Sequence, residues 1–221
     1  FVNGVGTAVW DVSMNVEAAE VERRLGRTIM PRFHAGWSLG SFAGALVGVP
    51  MAALHVPLLL HVPVFTVLAA LATWRAAAAY LPPTVAHEDR PPVRFSPWRE
   101  PRTLAIGIMV LAFALSEGSA NDWLALALID GYDVPHWVGV AGYTVFVTSM
   151  MAGRLFGPVL LDRYGRAPML WGCAGASLAG ILLVVFGAAG VVVALGIVVW
   201  GLGASLGFPV GMSAAADDQA R

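Results

Sequence analysis

Charged residues are scarce in this chain of 221 residues. Asp, Glu, Lys and Arg together make up 12% of it, whereas hydrophobic residues make up 58%. A soluble protein usually carries about 25% charged residues, so this composition excludes a soluble enzyme with a water-facing surface. The net charge of −1 and the lack of a clustered basic surface also exclude nucleic acid as a partner, because binding phosphates requires such a surface.

Sequence motifs for cofactors, metals and hydrolysis are also missing. The one cysteine, Cys173, cannot form an intrachain disulfide. No Gly-Lys-Ser/Thr phosphate-binding loop is present, so an ATP-driven pump would need a separate subunit. The 5 histidines show no metal-ligand spacing such as HExxH. We therefore expect no cofactor and no metal.

The hydrophobic residues occur in blocks of about 20, the length that a helix needs to cross a hydrocarbon layer of about 30 Å. This pattern predicts an all-α, polytopic transmembrane helical bundle. Phe1 already lies inside the first block, which has the composition of an incomplete helix, so we expect the chain to be a piece of a longer protein. The seven blocks are 1–16, 33–54, 62–81, 103–129, 137–161, 168–187 and 191–213.

A segment rich in proline and charge, residues 82–102, separates two groups of blocks, 1–81 and 103–221. This composition is typical of an extended linker without a packed core. We therefore predict two helical parts joined by a linker.

The arginines predict the orientation of the helices. All 13 basic residues are arginine, and they fall on alternate connections between the blocks. Because basic residues concentrate on the cytoplasmic side of a membrane, the linker 82–102 and the turn 162–167 are expected to face the cytoplasm. Arginine without lysine, with abundant Ala and Gly, indicates a GC-rich bacterial gene, and hence the cell inner (cytoplasmic) membrane. The connections without a basic residue are 55–61, 130–136 and 188–190.

The segment after the first block is amphipathic and charged. Three acids are followed there by three bases, a pattern typical of a solvated, mutually paired face. These residues are Glu17, Glu20, Glu22, Arg23, Arg24 and Arg27.

The segment from Gly153 to Arg166, GRLFGPVLLDRYGR, ends a hydrophobic helix with an acid, a base, a glycine and a second base. A turn this compact suits a gate. Asp162 can accept hydrogen bonds from the N-terminus of a neighbouring helix or from an arginine, and Gly165 permits the left-handed backbone of a tight reversal. Arg163 and Arg166 can pair with acids or with lipid phosphates.

This segment resembles the signature loop of the major facilitator superfamily. That loop reads approximately Gly-x-Leu-Ala-Asp-Arg-x-Gly-Arg-Arg/Lys and lies between helices two and three, and again between helices eight and nine. Pro158, Leu161 and Ala167 depart from the pattern. The residues that match it are Leu160, Asp162, Arg163, Gly165 and Arg166.

The resemblance implies a role for the loop and an order for the helices. In this family the loop locks the cytoplasmic side of the outward-facing transporter through charge pairing, which implies that role for Asp162 and Arg166, with Arg154 and Arg163 in the same cytoplasmic gate. The alternative is that these residues only cap a helix and follow the charge bias. The family joins two six-helix halves by a long cytoplasmic linker, so the chain would run from helix four to helix ten of twelve.

Glycines at a spacing of four mark one face of the second block. Such a face lets a second helix approach to backbone contact, so we predict close helix packing there. A shorter ladder in the seventh block, at Gly203, Gly207 and Gly211, leads to the same expectation. The glycines of the second block are Gly36, Gly40, Gly44 and Gly48.

Polar residues in hydrocarbon cost about 2.5 to 3.5 kcal/mol for a central acid, and they are therefore candidates for function. Asp11 and Asn15 share a face of the first block. Glu117, Asn121 and Asp122 lie close together in the fourth block, where small residues weaken the helix. As alternatives, Glu117 or Asp122 caps or gates at the outer water boundary, and Asp11 pairs with an arginine near the cytoplasmic mouth.

The predicted function is secondary active transport of a small solute across the lipid bilayer by alternating access, with protons as the coupling ion. Two other classes stay open. One is a membrane-embedded enzyme that acts on a lipid with Glu117 and Asp122 as paired carboxylates, although five residues on a helix separate their directions by about 140°. The other is a noncatalytic membrane receptor or scaffold.

Overall fold

The computed structural model of the protein describes residues 2–53, 56–79 and 99–217. Within these ranges all regular structure is α-helical, which confirms the predicted fold class. Most of the predicted linker 82–102 lies outside the described residues. The helices are α1 (Val2–Leu25), α2 (Met30–Ala53), α3 (Leu58–Ala77), α4 (Pro101–Tyr132), α5 (His136–Tyr164), α6 (Arg166–Phe186), α7 (Gly190–Ala204) and α8 (Gly207–Asp217).

Five segments of the described chain are long and apolar enough to cross a membrane. Four are α4, α5, α6 and most of α3, and the fifth, Gly190–Ala215, joins α7 and α8. The seventh predicted block is therefore one span that is interrupted at Ser205 and Leu206. The first block is also longer than predicted, because α1 continues through the charged segment to Leu25.

The chain divides into two compact units. The first comprises Phe1–Phe42 and Ser96–Arg221 and contains α1, the beginning of α2, and α4 to α8. The second, Ala43–Phe95, contains the rest of α2 and α3. In the second unit the described side chains of α3 are almost all exposed, as expected of an apolar helix whose surroundings are lipid.

In the first unit α7 packs against α5 and α6, while α4 contacts α5 and α8. The helices α6 and α7 touch through backbone, since a Cβ added at Gly180 would lie 2.7 Å from the carbonyl oxygen of Gly196. Small residues allow this close approach between membrane helices. One apolar cluster fills the space between α4, α5 and α7 around Leu124, Phe146 and Trp200.

Candidate functional site

A buried ion pair joins the middle of α4 to α5. Arg154 Nη2 donates to Glu117 Oε2 over 2.7 Å. The Arg154 side chain is 1% exposed, and that of Glu117 is 15% exposed. An isolated charge in a membrane interior is costly, so each side chain depends on the other to remain there in ionised form.

Arg154 is held on its other sides by neutral oxygens. Its Nη1 donates to Ser38 Oγ at 2.7 Å and to the carbonyl oxygen of His34 at 3.2 Å. Its Nε donates to the carbonyl oxygen of Ser205 at 3.2 Å. The planar guanidinium directs its donors in a fixed fork, so α2, α4 and the break between α7 and α8 are all positioned by this one side chain.

The Ser205 carbonyl is available to Arg154 because of a proline. In a regular helix this carbonyl would accept the N–H of the residue four positions later, which here is Pro209 and has no N–H. The break between α7 and α8 thus exposes an acceptor inside a membrane span, and Arg154 satisfies it.

Glu117 is the accessible member of the ion pair. Its Oε2 binds Arg154, and its partial exposure leaves the carboxylate within reach of a proton or a solute donor. Removing one partner of a buried ion pair costs about 3 to 5 kcal/mol, because the other charge is left uncompensated. A proton on Glu117 would therefore disturb every helix that Arg154 holds.

A series of hydrogen bonds between polar side chains connects α1 to α2. Asn15 Nδ2 donates to the carbonyl oxygen of Asp11 at 2.9 Å and to Asp11 Oδ1 at 3.3 Å. Asn15 Oδ1 lies 3.1 Å from His34 Nε2. The structure thus brings the predicted pair Asp11 and Asn15 together. Among the described residues Asp11 contacts no arginine, so the alternative that it pairs with one finds no support there.

The remaining candidates on α4 lie on more exposed positions. Tyr143 on α5 donates its hydroxyl to Asn121 Oδ1 at 3.4 Å, and Asn121 and Asp122 are both exposed. Within the described part of the chain Asp122 forms no hydrogen bond or ion pair. The structure places Asn121 one turn from Glu117 on the same helix face and leaves Asp122 outside the ion pair.

Four helix ends meet in a cluster that we call the clasp, formed by Glu22, Ser213 and Arg166 around the start of α2. Glu22 Oε2 accepts the backbone N–H groups of Ile29 at 2.8 Å and of Met30 at 2.6 Å. Its Oε1 accepts the Ser213 hydroxyl of α8, and Arg166 Nη2 at the start of α6 donates to Ser213 Oγ at 3.1 Å. A carboxylate at a helix N-terminus satisfies free N–H groups and the helix dipole.

The clasp differs from the sequence prediction in two residues. The predicted acceptor at a helix N-terminus, Asp162, is exposed, and Glu22 occupies the N-terminus of α2 instead. Glu22 was expected on a solvated face, a prediction that holds for Glu20, which pairs with Arg23 and Arg24. Glu22 turns inward because α2 starts only a few residues after α1 ends.

The signature turn itself is short. Gly165 has a φ of 82°, which strongly favours glycine, and its N–H donates to the Leu161 carbonyl at 2.8 Å where α5 ends. Leu160 and Arg163 are exposed, and the Arg163 guanidinium lies over the Tyr164 ring.

Arg154, which the sequence assigned to the cytoplasmic gate, lies elsewhere. It is eight residues before Asp162, about 12 Å along a helix. The structure groups it with Glu117 rather than with the turn at Asp162.

The two glycine ladders have different surroundings. Among the described residues, nothing lies within 4 Å of a Cβ added at Gly36, Gly40 or Gly44. Packing against that face therefore stays a prediction, and the contacts of Gly48 lie outside the description. In the other ladder, a Cβ at Gly203 would lie 2.6 Å from Ser177 Oγ, which explains the small residue.

Sequence reasoning missed the neutral and aromatic partners of the two clusters. His34, Ser38 and Ser205 hold the site around Arg154, and Ser213 belongs to the clasp. Pro209 was the available signal for Ser205, because a proline frees the carbonyl four residues earlier. In the described residues no group of three or more His, Cys, Asp or Glu side chains is placed to hold a metal ion.

Long apolar helices with a buried ion pair at their centre define a polytopic membrane protein. The comparisons identify its class. The family model of the Major Facilitator Superfamily matches residues 1–220, so the chain belongs to this superfamily of transporters.

Two curated relatives are transporters by name. An uncharacterized transporter of Sinorhizobium fredii is 30% identical over 225 residues, covering 99% of this chain and 58% of the relative. An uncharacterized MFS-type transporter of Yersinia pestis is 29% identical over 216 residues, covering 97% of this chain and 55% of the relative. The chain thus spans little more than half the length of either relative. No solved structure matches it significantly.

Proposed function

We propose that the intact protein is a secondary active transporter that moves a small polar solute across the cytoplasmic membrane with protons as the coupling ion. The observation that carries this proposal is the ion pair between Arg154 and Glu117, which joins the middle parts of the two apolar helices α5 and α4. Ionisable residues at such a depth mark solute or proton pathways in membrane proteins. The family membership supports transport, and the pair supports the choice of proton.

Proton coupling would act through the partly exposed member of the pair. While Glu117 is ionised it balances Arg154, and a proton on Glu117 removes that balance. The freed Arg154 then favours an arrangement in which water or an anionic group of the solute reaches it. One proton thus biases the equilibrium between two arrangements of the helices, as coupled transport requires. Asn121 and Asp11 line the same route in this proposal.

Alternating access would use the clasp on the cytoplasmic side. In the proposed orientation the linker 82–102 and the turn 162–167 face the cytoplasm, and so does the Glu22 end of α1. The clasp ties α1 and α2 to α6 and α8. Opening a solute pathway to the cytoplasm would separate these ends, and water can replace each of the hydrogen bonds that are lost.

Reconstituted full-length protein tests the proposal. Proteoliposomes containing the trapped pH dye pyranine are screened with labelled sugars, amino acids and organic acids for uptake and for internal pH change. We expect Glu117→Gln to exchange a transported solute in counterflow without moving protons. The matched control is Asp130→Asn, an exposed acid on the same helix, which should keep both activities.

Each rival class gives a different result. Full proton dependence in Glu117→Gln would remove this residue from coupling. A chemically altered lipid after incubation would favour the membrane enzyme. Solute binding without counterflow in any preparation would favour a receptor or scaffold.

A further inference from the structure

The Arg154 guanidinium is already occupied by oxygens of the protein. Its Nε and Nη1 donate to neutral oxygens of α2 and of the break between α7 and α8. Its Nη2 donates to Glu117 Oε2, and the side chain is buried. A solute anion could therefore bind Arg154 only in another arrangement, in which some of these hydrogen bonds are broken.

Glu117 differs from Arg154, because only one of its two carboxylate oxygens has a partner. Oε2 accepts the hydrogen bond from Arg154 over 2.7 Å. Within the described residues no group donates to Oε1, and the side chain is partly exposed. A carboxylate oxygen that is withdrawn from bulk water is costly without a donor. Oε1 is therefore an accessible acceptor that a solute donor could satisfy.

Two further acceptors lie beside the Glu117 carboxylate. Asn121 is one turn along the same face of α4, where Cβ atoms are about 5 to 6 Å apart. Its Oδ1 accepts the Tyr143 hydroxyl at 3.4 Å. An amide oxygen has two lone pairs, and a phenol oxygen that donates its hydrogen can still accept. Asn121 is exposed and Tyr143 is half-buried, so a solute at Glu117 could also reach these two oxygens.

The charges of the two spans favour a positively charged solute. The apolar blocks 103–129 and 137–161 contain two acids, Glu117 and Asp122, and one base, Arg154. Arg154 balances Glu117. Asp122 is exposed and forms no ion pair in the described part of the chain. Two acids and one base leave one net negative charge on these parts of α4 and α5, and a solute with one positive charge would neutralise it.

We infer that the solute of this transporter carries an ammonium group, which binds Glu117 Oε1 with Asn121 and Tyr143 as further acceptors. Movement of this solute across the membrane rests on the proposed function above, whereas its binding can be measured without transport. An ammonium group has three N–H donors and no acceptor. It therefore matches a site whose described residues offer three oxygen acceptors and no accessible cation. Amines and amino acids belong to this class of solute.

Ligand binding to the purified full-length protein tests the inference without any gradient. The probes form two sets of nearly equal size, each with a cation, a neutral compound and an anion. One set is benzylamine, benzyl alcohol and benzoate, and the other is butylamine, butanol and butyrate. A ligand that binds the folded protein raises its melting temperature in a saturable way. At pH 7 we expect this rise with the two amines, and we expect it to be absent with the alcohols and the carboxylates.

Variants connect the binding of the amine to Glu117. Glu117→Gln should weaken it by about tenfold or more, because a hydrogen bond to a charged oxygen is lost. The double variant Arg154→Met with Glu117→Gln should show the same loss, and it leaves no unpaired charge that could unfold the protein. Tyr143→Phe removes one neutral acceptor and should weaken binding by about threefold. The matched control is Asp130→Asn, an exposed acid near the end of α4, which should bind as the wild type does.

Three results would overturn the inference. They are the lack of saturable stabilisation by either amine, equal stabilisation by the alcohol or carboxylate of a set, and undiminished amine binding in the variants without the Glu117 carboxylate. Loss of proton coupling in the transport assay does not affect it. An amine that binds at Glu117 but is never moved into proteoliposomes would contradict the proposed function and leave the binding site valid.

Discussion

The site around Arg154 and the clasp around Glu22 both join helices that are distant in sequence, but they do so by different means. Arg154 is 1% exposed and balances a full charge with Glu117. In the clasp Glu22 and Arg166 are half-buried around the buried Ser213, and the contacts described above are hydrogen bonds to backbone N–H groups and a hydroxyl. A buried charge pair responds to one proton, whereas hydrogen bonds near water exchange readily. The Arg154–Glu117 pair is therefore suited to respond to protonation, and the clasp is suited to open and close reversibly.

The largest effect is expected from removing the buried cation. Arg154→Met leaves Glu117 without a partner in an apolar interior, and the free energy of unfolding should fall by about 3 to 5 kcal/mol. Denaturant titration in mixed micelles measures it. The double variant Arg154→Met with Glu117→Gln should recover part of the loss, because no unpaired charge remains. Equal stability of the single and double variants would contradict the ion pair.

A smaller effect is expected from neutralising the acid of the clasp. Glu22→Gln keeps an acceptor at the N-terminus of α2 but loses its charge, and the unfolding free energy should fall by about 1 kcal/mol. In Glu22→Gln, a cysteine placed near Ser213 should also be labelled faster from the cytoplasmic side, because the clasp opens more often. Glu20→Gln, a surface-paired acid on the same helix, is the matched control. No change in labelling would show that the clasp does not hold the closed form.

Removing the hydroxyl at the centre of the clasp should have a similar or smaller effect. In Ser213→Ala both Glu22 and Arg166 lose one hydrogen-bond partner, worth about 0.5 to 1.5 kcal/mol. Since water can replace it on opening, we expect faster cytoplasmic labelling with little change in melting temperature. A loss as large as that of Arg154→Met would make the clasp a buried structural site instead.

The smallest effect concerns Glu20, which lies beyond the first hydrophobic block on α1. Hydrogen bonds from Arg24 and Arg23 lower the pKa of Glu20 below its ordinary value. Its contribution to stability is therefore present above the ordinary pKa and is lost as the pH falls through the lowered one. Because the pair is at the surface, Glu20→Gln should barely change the melting temperature at neutral pH. A clear decrease would show that the ion pairs of Glu20 with Arg23 and Arg24 stabilise the fold despite their exposure.

The helices could be predicted from the sequence because length and apolarity are local properties. The block 103–129 corresponds to Pro101–Tyr132, and 137–161 corresponds to His136–Tyr164. The cost of an acid in hydrocarbon also identified Glu117 without any knowledge of its partner. The end of α1 was not predicted, because the apolar block stops at residue 16 whereas the helix continues to Leu25. Charged residues end an apolar pattern without ending a helix.

The partners in the site could not be predicted in the same way. Ser213 and Glu22 are separated by 191 positions, and no local pattern connects them. Arg154 was assigned to the cytoplasmic gate because it lies close in sequence to the signature loop. Its side chain instead contacts His34 on α2 and Glu117 on α4. Asp162 and Glu22 are both acids near helix ends, and no local pattern indicates that Glu22 accepts the backbone N–H groups of Ile29 and Met30.

The proline at position 209 gives the last span a property that a continuous helix lacks. The Ser205 carbonyl, which Pro209 leaves without a helical partner, is bound by Arg154. If Arg154 swings away, this oxygen must be reached by water or by another donor, because an unsatisfied carbonyl in hydrocarbon is costly. Movement of Arg154 therefore requires water or another donor at the break between α7 and α8. Protonation of Glu117 is in this way linked to the bending of a span that Glu117 itself does not contact.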